Sequence, residues 1–243
     1  MQLEHSSWPE VEAYLRRSTG ILVPVGSTEQ HGPTGLIGTD TLCAEAIARH
    51  VGEQLAAMVG PAQPIGIAEH HLGFSGSLTL SRGTFMAVLT DYTRALVHHG
   101  FRHLYVINGH GGNISALREW SKGVDGHAND GGAALHCRFV NWWMGRRTSE
   151  LRKRLYGDHE GVHATPSEIA VTQHLLPASI KRAEIVGPIP TAQSFSGAVD
   201  YRAKFPDGRV GSDPALATPE DGAQILAASI EDVIEDYTTF LAS

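Results

Sequence analysis

Glu29, His31 and Asp40 lie within twelve residues of one another, the first two inside Gly26-Ser27-Thr28-Glu29-Gln30-His31-Gly32-Pro33. A further histidine, His110, sits in a second glycine-rich stretch, Asn108-Gly109-His110-Gly111-Gly112-Asn113. Carboxylate oxygens and imidazole nitrogens together form a mixed donor set. Such a set suits Zn, Mn or Fe rather than Ca or a thiolate-preferring metal. Each residue alone also has a plainer reading. Asp40, after Thr39, is placed to cap a helix. His110, between glycines, reads as a turn residue, and Glu29 as a loop charge. The second stretch lacks both the Gly-x-Gly-x-x-Gly spacing and the lysine of a phosphate-binding loop, which argues against a nucleotide site.

A metal centre needs elements that carry these residues to one place. Ile21 to Val25 is a short, continuously apolar run, as expected of a strand buried on both faces, and it discharges into the Glu29–His31 segment. Leu104 to Ile107 is a second such strand and ends at the His110 turn. Helices are expected over Trp8 to Ser18, with Ser7 as N-cap and Pro9 in its first turn, and over Thr41 to Ala57. Thr84 to Gly100 is a clearer helix, its apolar residues recurring at three and four and Gly100 closing it. Further helices are expected over Asn113 to Val124, Thr165 to Leu176 and Pro219 to Leu241. Strands are expected within residues 58–68 and over Ala133 to Asn141, the latter leading into Trp142-Trp143. Residues 184–217, rich in Gly, Pro, Ser and Ala, read as a long irregular excursion.

Strands that alternate with helices imply right-handed βαβ units and an α/β fold with a mostly parallel sheet covered on both faces. In such open sheets the functional site lies beyond the carboxyl ends of the strands. If both apolar strands are central, Glu29, His31 and His110 converge there, and Asp40 folds back onto the same place. The chain shows no linker, internal repeat or low-complexity tract, and residues 1–243 read as one domain.

Bulk composition narrows the partners. Hydrophobic residues make up 42% and charged residues 19%, ordinary values for a globular protein. A formal net charge of −7 without basic runs argues against nucleic acid or an anionic membrane surface as partner. No stretch approaches the ~20 apolar residues that span a bilayer, and no secretory signal is recognisable. Cys43 and Cys137 stand alone, which argues against a disulfide framework and a cysteine zinc site; a cytoplasmic location is the expectation.

The two histidine-bearing stretches, together with Gly38-Thr39-Asp40, resemble the creatininase family of metal-dependent amidohydrolases. Two further blocks agree. Glu69-His70-His71-Leu72-Gly73-Phe74-Ser75-Gly76-Ser77-Leu78-Thr79-Leu80 is similar to the family's Glu-His and Phe-Pro-Gly-Thr segment, with Ser75 in place of the Pro. His163-Ala164-Thr165-Pro166-Ser167-Glu168 is similar to its His-Ala-Gly-x-x-Glu-Thr-Ser, keeping His and Glu five apart. The resemblance implies a three-layer α/β/α sandwich, two divalent metal ions per subunit, and a small amide, formamide or cyclic amide as substrate. Zn is expected first, with Mn or Fe as alternatives.

Carried over residue by residue, Glu29, His31, Asp40 and His110 match metal ligands, with Asp40 as the bridge. Creatininases proper have Asn-Gly-His-Tyr-Glu-Asn, whose Glu is a fifth ligand; here Gly112 occupies that place, and Glu168 is the natural substitute. His163 is the expected proton carrier to the leaving nitrogen, since imidazole exchanges protons near neutrality. Glu69, His70, Ser75, Gly76, Gly109, Gly111 and Trp143 are expected around the substrate. Because Gly111 and Gly112 replace Tyr and Glu, creatinine itself should fit poorly. The resemblance also implies a homo-oligomer, hexameric in the family. A lactone or ester hydrolase using the same centre, or a metal-binding module without catalysis, are the competing readings.

Overall fold

Among the described residues four strands form the sheet: β1 (Gly20–Val25), β2 (Met58–Val59), β3 (His103–Asn108) and β4 (His136–Asn141). Their order is β2-β1-β3-β4 and every pairing is parallel. β1 and β3 are therefore the central pair, in register from Gly20 opposite His103 to Val25 opposite Asn108. The computed structural model describes residues 1–124, 134–185 and 187–242.

Alternation along the central strands divides the interior. Ile21, Val23, Val25, Leu104 and Val106 face one apolar layer. It is built with Tyr14 of α1 (Trp8–Leu15), Phe85, Leu89 and Leu96 of α3 (Arg82–His99), and Leu117 and Trp120 of α4 (Ile114–Val124). Leu22, Tyr105 and Ile107 face the opposite layer. There they meet Ile47 and Val51 of α2 (Thr39–Gln54), Ala170 and Val171 of α6 (Pro166–Leu175), and Ile225, Val233 and Tyr237 of α8 (Pro219–Leu241). Period-two strands between two sets of amphipathic helices give the three-layer sandwich. Cys43 and Cys137 are buried in opposite layers. No helix of the described residues is long and apolar enough to cross a membrane.

Three expectations need correction. The strand sought in 58–68 is regular only over Met58–Val59; beyond it the chain stays beside β1 through isolated bonds, Gln63 N–H donating to Pro24 O (3.0 Å) and Gly26 N–H to Gln63 O (2.9 Å). The strand expected from Ala133 begins at His136, and Ala133 itself lies outside the described residues. Residues 184–217 are not irregular throughout. They contain α7 (Gly197–Lys204), whose Tyr201 is buried with Phe205, Phe74 and Val210 in a small cluster of its own.

One helix has no counterpart in the sequence reading. α5 (Arg146–Tyr156) is strongly charged, and its N-terminus is capped from across the fold. Asp232 of α8 accepts hydrogen bonds from the backbone N–H of Arg147 (3.2 Å) and of Thr148 (2.9 Å), and from the Thr148 hydroxyl (2.9 Å). These bonds satisfy donors that a helix start leaves open.

Candidate metal centre

The site lies beyond the carboxyl ends of β1 and β3. After β1 the chain runs without regular structure to α2, pinned by Glu29 N–H donating to Ile37 O (2.8 Å). Glu29 and His31 thereby turn inward. Asp40 arrives from the first turn of α2, whose N-cap is Gly38, so its side chain is not spent as a cap. α2 can come this close because Gly109, just after β3, has no side chain. A Cβ there would overlap the Asp40 main chain.

His110 follows in a turn braced by both asparagines of its motif. Asn108 accepts from His110 N–H (3.2 Å) and donates to His110 O (2.7 Å). Asn113 donates to Gly26 O (2.9 Å) and accepts from Ile67 N–H (3.0 Å). Gly112 stands against Ile67 O and the His110 ring, with no room for a Cβ. Glutamate at that position would collide with backbone, so on this turn no carboxylate can come from there.

Among the described residues three donor groups have their ligating atoms within 4.8 Å of one another; Glu29, His31 and His163 form one, and the other two share Asp40. The first of that pair is Glu29, Asp40 and His110; the second is His31, Asp40 and Glu168. Asp40 belongs to both. Its Oδ1 lies 3.0 Å from His31 Nε2 and its Oδ2 3.1 Å from His110 Nδ1. Glu29 Oε1 lies 3.2 Å from His110 Nδ1. The outer ring nitrogens define the inner ones. His31 Nδ1–H donates to Glu29 O (3.1 Å) and His110 Nε2–H donates to Ile67 O (2.9 Å). Once its second proton is lost, each ring would therefore present its inner nitrogen as a ligand, the arrangement that metal-binding histidines adopt. Glu29 Oε1 and Asp40 Oδ2 are buried without a hydrogen-bond partner. Buried acceptors left this way are costly unless a cation satisfies them, so the residues fit two divalent ions.

Glu168 serves two purposes at once. Its Oε1 accepts from Thr165 N–H at 2.5 Å, closing the capping box of α6. Its Oε2 turns the other way, to 3.7 Å from His31 Nε2. His163 approaches through a sharp bend. Ala164 adopts a left-handed backbone with φ of 54°, a conformation costing roughly 1–2 kcal/mol for a residue with a Cβ. That bend lets His163 and the α6 cap face one cavity. His163 Nε2–H donates to Gln30 O (2.8 Å), which leaves Nδ1 facing the centre, 3.8 Å from Glu29 Oε1. The excursion braces this loop: Val162 N–H donates to Val210 O (2.8 Å), and Ser212 Oγ donates to His163 O (2.5 Å).

Charge in the metal-free centre is unevenly shared. Burial alone would lower the His31 pKa, but the carboxylates of Asp40, Glu168 and Glu29 outweigh it and raise it to about 10. Burial is likewise overcome at His110, held well above the ordinary value by Glu29 and Asp40. Burial disfavours an ionised Asp40, yet His31 and His110 keep its carboxyl below the usual range. Glu168 is pushed up to about 7, chiefly by burial. His163 is lowered by burial and by His31, and so is neutral.

A consequence is measurable. Ligands must be deprotonated to bind metal, so loading at pH 7 should expel the protons on His31 and His110, together with those that burial retains on Glu168 and Glu29. Metal and protons compete, so affinity should rise with pH up to about 10. Calorimetric metal titrations in buffers of different ionisation heat report the proton release directly. Binding without proton release would contradict the assignment of both histidines.

A cavity of about 270 Å³ opens on the centre. Gly109, Gly111, Trp143, His163 and Glu168 line it, with Ile114, Trp142 and Val162 as apolar walls. Glu69, His70, Ser75 and Gly76 are not among its lining residues. Glu69, Ser75 and Gly76 are exposed, and Ser75 borders a separate cavity behind His31. From the same segment, His71 and Ser77 are the buried neighbours of the centre. His71 Nε2 lies 3.3 Å from Glu29 Oε1, and Ser77 Oγ accepts from Gln30 N–H (3.1 Å). Alternation of exposure along the short 3-10 helix Glu69–Gly73 separates His71 from His70, and nothing in their shared residue type does. Arg152 of α5 was also missed. It lines the cavity and is held by Glu160 (2.8 Å from Nε), Ser167 Oγ (3.0 Å) and Trp143 O (2.8 Å).

Comparison with known proteins bears on what this geometry is for. A mycofactocin precursor peptide peptidase of Mycobacterium tuberculosis (strain ATCC 25618 / H37Rv) is 30% identical over 231 residues, 89% of this chain and 84% of that protein. A creatinine amidohydrolase of Pseudomonas putida is 32% identical over 125 residues, 49% of this chain and 47% of that protein. A solved structure described as the manganese form of creatininase superposes with a TM-score of 0.81 at 23% identity, covering 100% of this chain and 99% of that one. The creatininase (creatinine amidohydrolase) family model matches residues 4–237. Five sequence blocks, the three-layer fold and the paired donor groups thus have one source: the chain is a hydrolase belonging to the creatininase family.

Proposed function

We propose that this protein is a two-metal amidohydrolase that cleaves the C–N bond of a small polar amide or of an amide near the end of a short peptide. The observation that carries the reading is the pair of donor groups sharing Asp40 at the floor of a cavity. Glu29, Asp40 and His110 would hold one ion, and His31, Asp40 and Glu168 the other. Two divalent ions held there would supply a water of lowered pKa and polarise the scissile carbonyl. Zn fits the nitrogen and oxygen donors, and Mn or Fe fit them too.

The chain's own groups do the rest. His163 is neutral and presents Nδ1 inward, so it is placed to take a proton there and return it to the leaving nitrogen. Its Nε2–H stays on Gln30 O throughout, which keeps the ring oriented. Trp142, Trp143, Ile114 and Val162 keep bulk water from the acyl group, while Gly111 leaves open space for substrate. At about 270 Å³ the cavity is just below the ~300–1,000 Å³ usual for ligand pockets, so only a small group reaches the metals. The similarity to a peptide peptidase over most of the chain supports an amide presented from a peptide end.

The test is a substrate panel on protein stripped by chelator and reloaded with Zn, Mn or Fe. Short peptides and formamides should turn over only after reloading, and creatinine should remain slow. Full activity in verified metal-free protein would remove the metal centre from the reaction. Turnover of lactones with no amide cleavage would replace the amidohydrolase reading by the ester one.

A further inference from the structure

Four imidazoles, of His31, His71, His110 and His163, cluster around the carboxylates of Glu29 and Asp40. We propose that Gln30 keeps the fourth, His71, out of the metal coordination sphere by forcing its proton onto the nitrogen that faces the centre. This rests on the metal-centre reading above, and it assigns roles to two residues which that reading leaves idle.

The assignment follows from counting hydrogens. Gln30 Oε1 accepts from Gly32 N–H at 2.8 Å, which sets the orientation of the amide. Its Nε2 therefore points the other way and has two hydrogens to give. Three atoms lie within reach: His71 Nδ1 (3.0 Å), Gly208 O (3.1 Å) and His163 Nε2 (2.9 Å). His163 Nε2 is also 2.8 Å from Gln30 O, which can only accept. A hydrogen on His163 Nε2 satisfies that carbonyl and removes the ring nitrogen as an acceptor. The two Gln30 hydrogens then go to Gly208 O and His71 Nδ1, and every group is matched. His71 Nδ1 is left as an acceptor, so its hydrogen is on Nε2.

The consequence is an inversion confined to one ring. His31, His110 and His163 each tie their outer nitrogen to a backbone carbonyl, respectively Glu29 O, Ile67 O and Gln30 O, and leave the inner one free to ligate once unprotonated. His71 has an amide hydrogen behind it instead of a carbonyl. It offers an N–H to the centre, 3.3 Å from Glu29 Oε1. An N–H beside a ligand carboxylate cannot bind a cation. It favours the carboxylate's charge from one side without hydrogen-bonding Oε1, while Ser27 Oγ donates to Oε2 from the other (2.9 Å). Gln30 and His71 are thus positioning residues, and the choice of amide over carboxylate at position 30 matters.

Substituting Gln30→Glu reverses the polarity behind His71. The carboxylate can still accept from Gly32 N–H, but its other oxygen now accepts from His71 Nδ1–H, which frees Nε2 to bind metal. Gln30→Met removes the donor without supplying an acceptor. Long-range proton–nitrogen NMR on 15N-histidine protein, metal-free and zinc-loaded, reads each tautomer. The wild type should show His71 protonated on Nε2 and unshifted by zinc. Gln30→Glu should lose that Nε2–H, and zinc should shift His71 Nε2. The cobalt-substituted variant should show a weaker visible band, as a ligand is added. Gln30→Met should give a mixture of His71 tautomers. His163, tied to a main-chain carbonyl, should keep Nε2–H in all three. Wild-type His71 protonated on Nδ1, or one His71 tautomer across all three proteins, overturns the proposal. Because the tautomers are also read without metal, a protein that binds no ions would defeat the metal-centre reading and still test this one.

Discussion

Glu168→Gln is expected to leave one ion per chain where the wild type holds two. Turnover should fall by more than the ~10–100-fold that losing even an outer-shell partner costs. The two oxygens of Glu168 have separate tasks, and the substitution separates them. Oε1 accepts from Thr165 N–H in the capping box, and a glutamine oxygen can do the same, so α6 should keep its N-terminus. Oε2 faces His31 and completes the second donor group, and an amide nitrogen there cannot ligate. If Glu168 served only as a helix charge, the change would cost about 0.3–1 kcal/mol and leave the ions in place. In the metal-free protein burial raises its pKa to about 7, so a carboxyl there costs stability once pH exceeds its unfolded value of ~4.3, and the metal-free glutamine variant should melt no lower than the wild type near neutrality. Metal analysis and a melting curve of the one variant distinguish the two roles. Two ions with near-normal turnover would show that the second donor group is wrongly composed.

How much of this was legible beforehand depends on where each signal resides. The central strands were readable because burial on both faces demands uninterrupted apolar residues, and Ile21 to Val25 and Leu104 to Ile107 have nothing else. α3 was readable because its start and stop are local: Ser81 accepts from Thr84 N–H, and Gly100 closes it in a left-handed conformation. α5 was invisible because its cap is Asp232, far along the chain, and its buried face is only Thr148, Leu151 and Tyr156. The same logic applies within the site. Glu29, His31, Asp40 and His110 lie next to strand ends and glycines, whose placement follows from topology. His71 and Arg152 enter through loop and helix geometry that no spacing rule encodes. Between His70 and His71, one residue of register along a short 3-10 turn decided which ring is buried.

Asp40→Asn should have the larger effect still, since Asp40 is the one residue common to both donor groups. The variant keeps the shape of the side chain and the close packing against Gly109, so α2 should form normally. It removes the carboxylate that faces His31 at 3.0 Å and His110 at 3.1 Å, and both ions should be lost together with all measurable turnover. The metal-free protein provides a second readout. His31 has its pKa raised to about 10, so it stabilises the fold fully below its unfolded value of ~6.5, and that contribution fades as pH rises towards 10. Asp40 itself is held below its ordinary ~3.9, so its contribution is present above that value and lost as pH falls through the depressed one. The metal-free variant should therefore melt below the metal-free wild type, by most between pH ~4 and ~6.5, with the gap closing towards pH 10. Divalent metal should raise the melting temperature of the wild type and not of the variant, because only a protein that binds the ions gains from mass action. A first-turn helix charge with no ligand role would give a small shift of about 0.3–1 kcal/mol and leave the metal-dependent stabilisation intact. Equal metal-induced stabilisation in both proteins would therefore place the bridging carboxylate elsewhere in the chain.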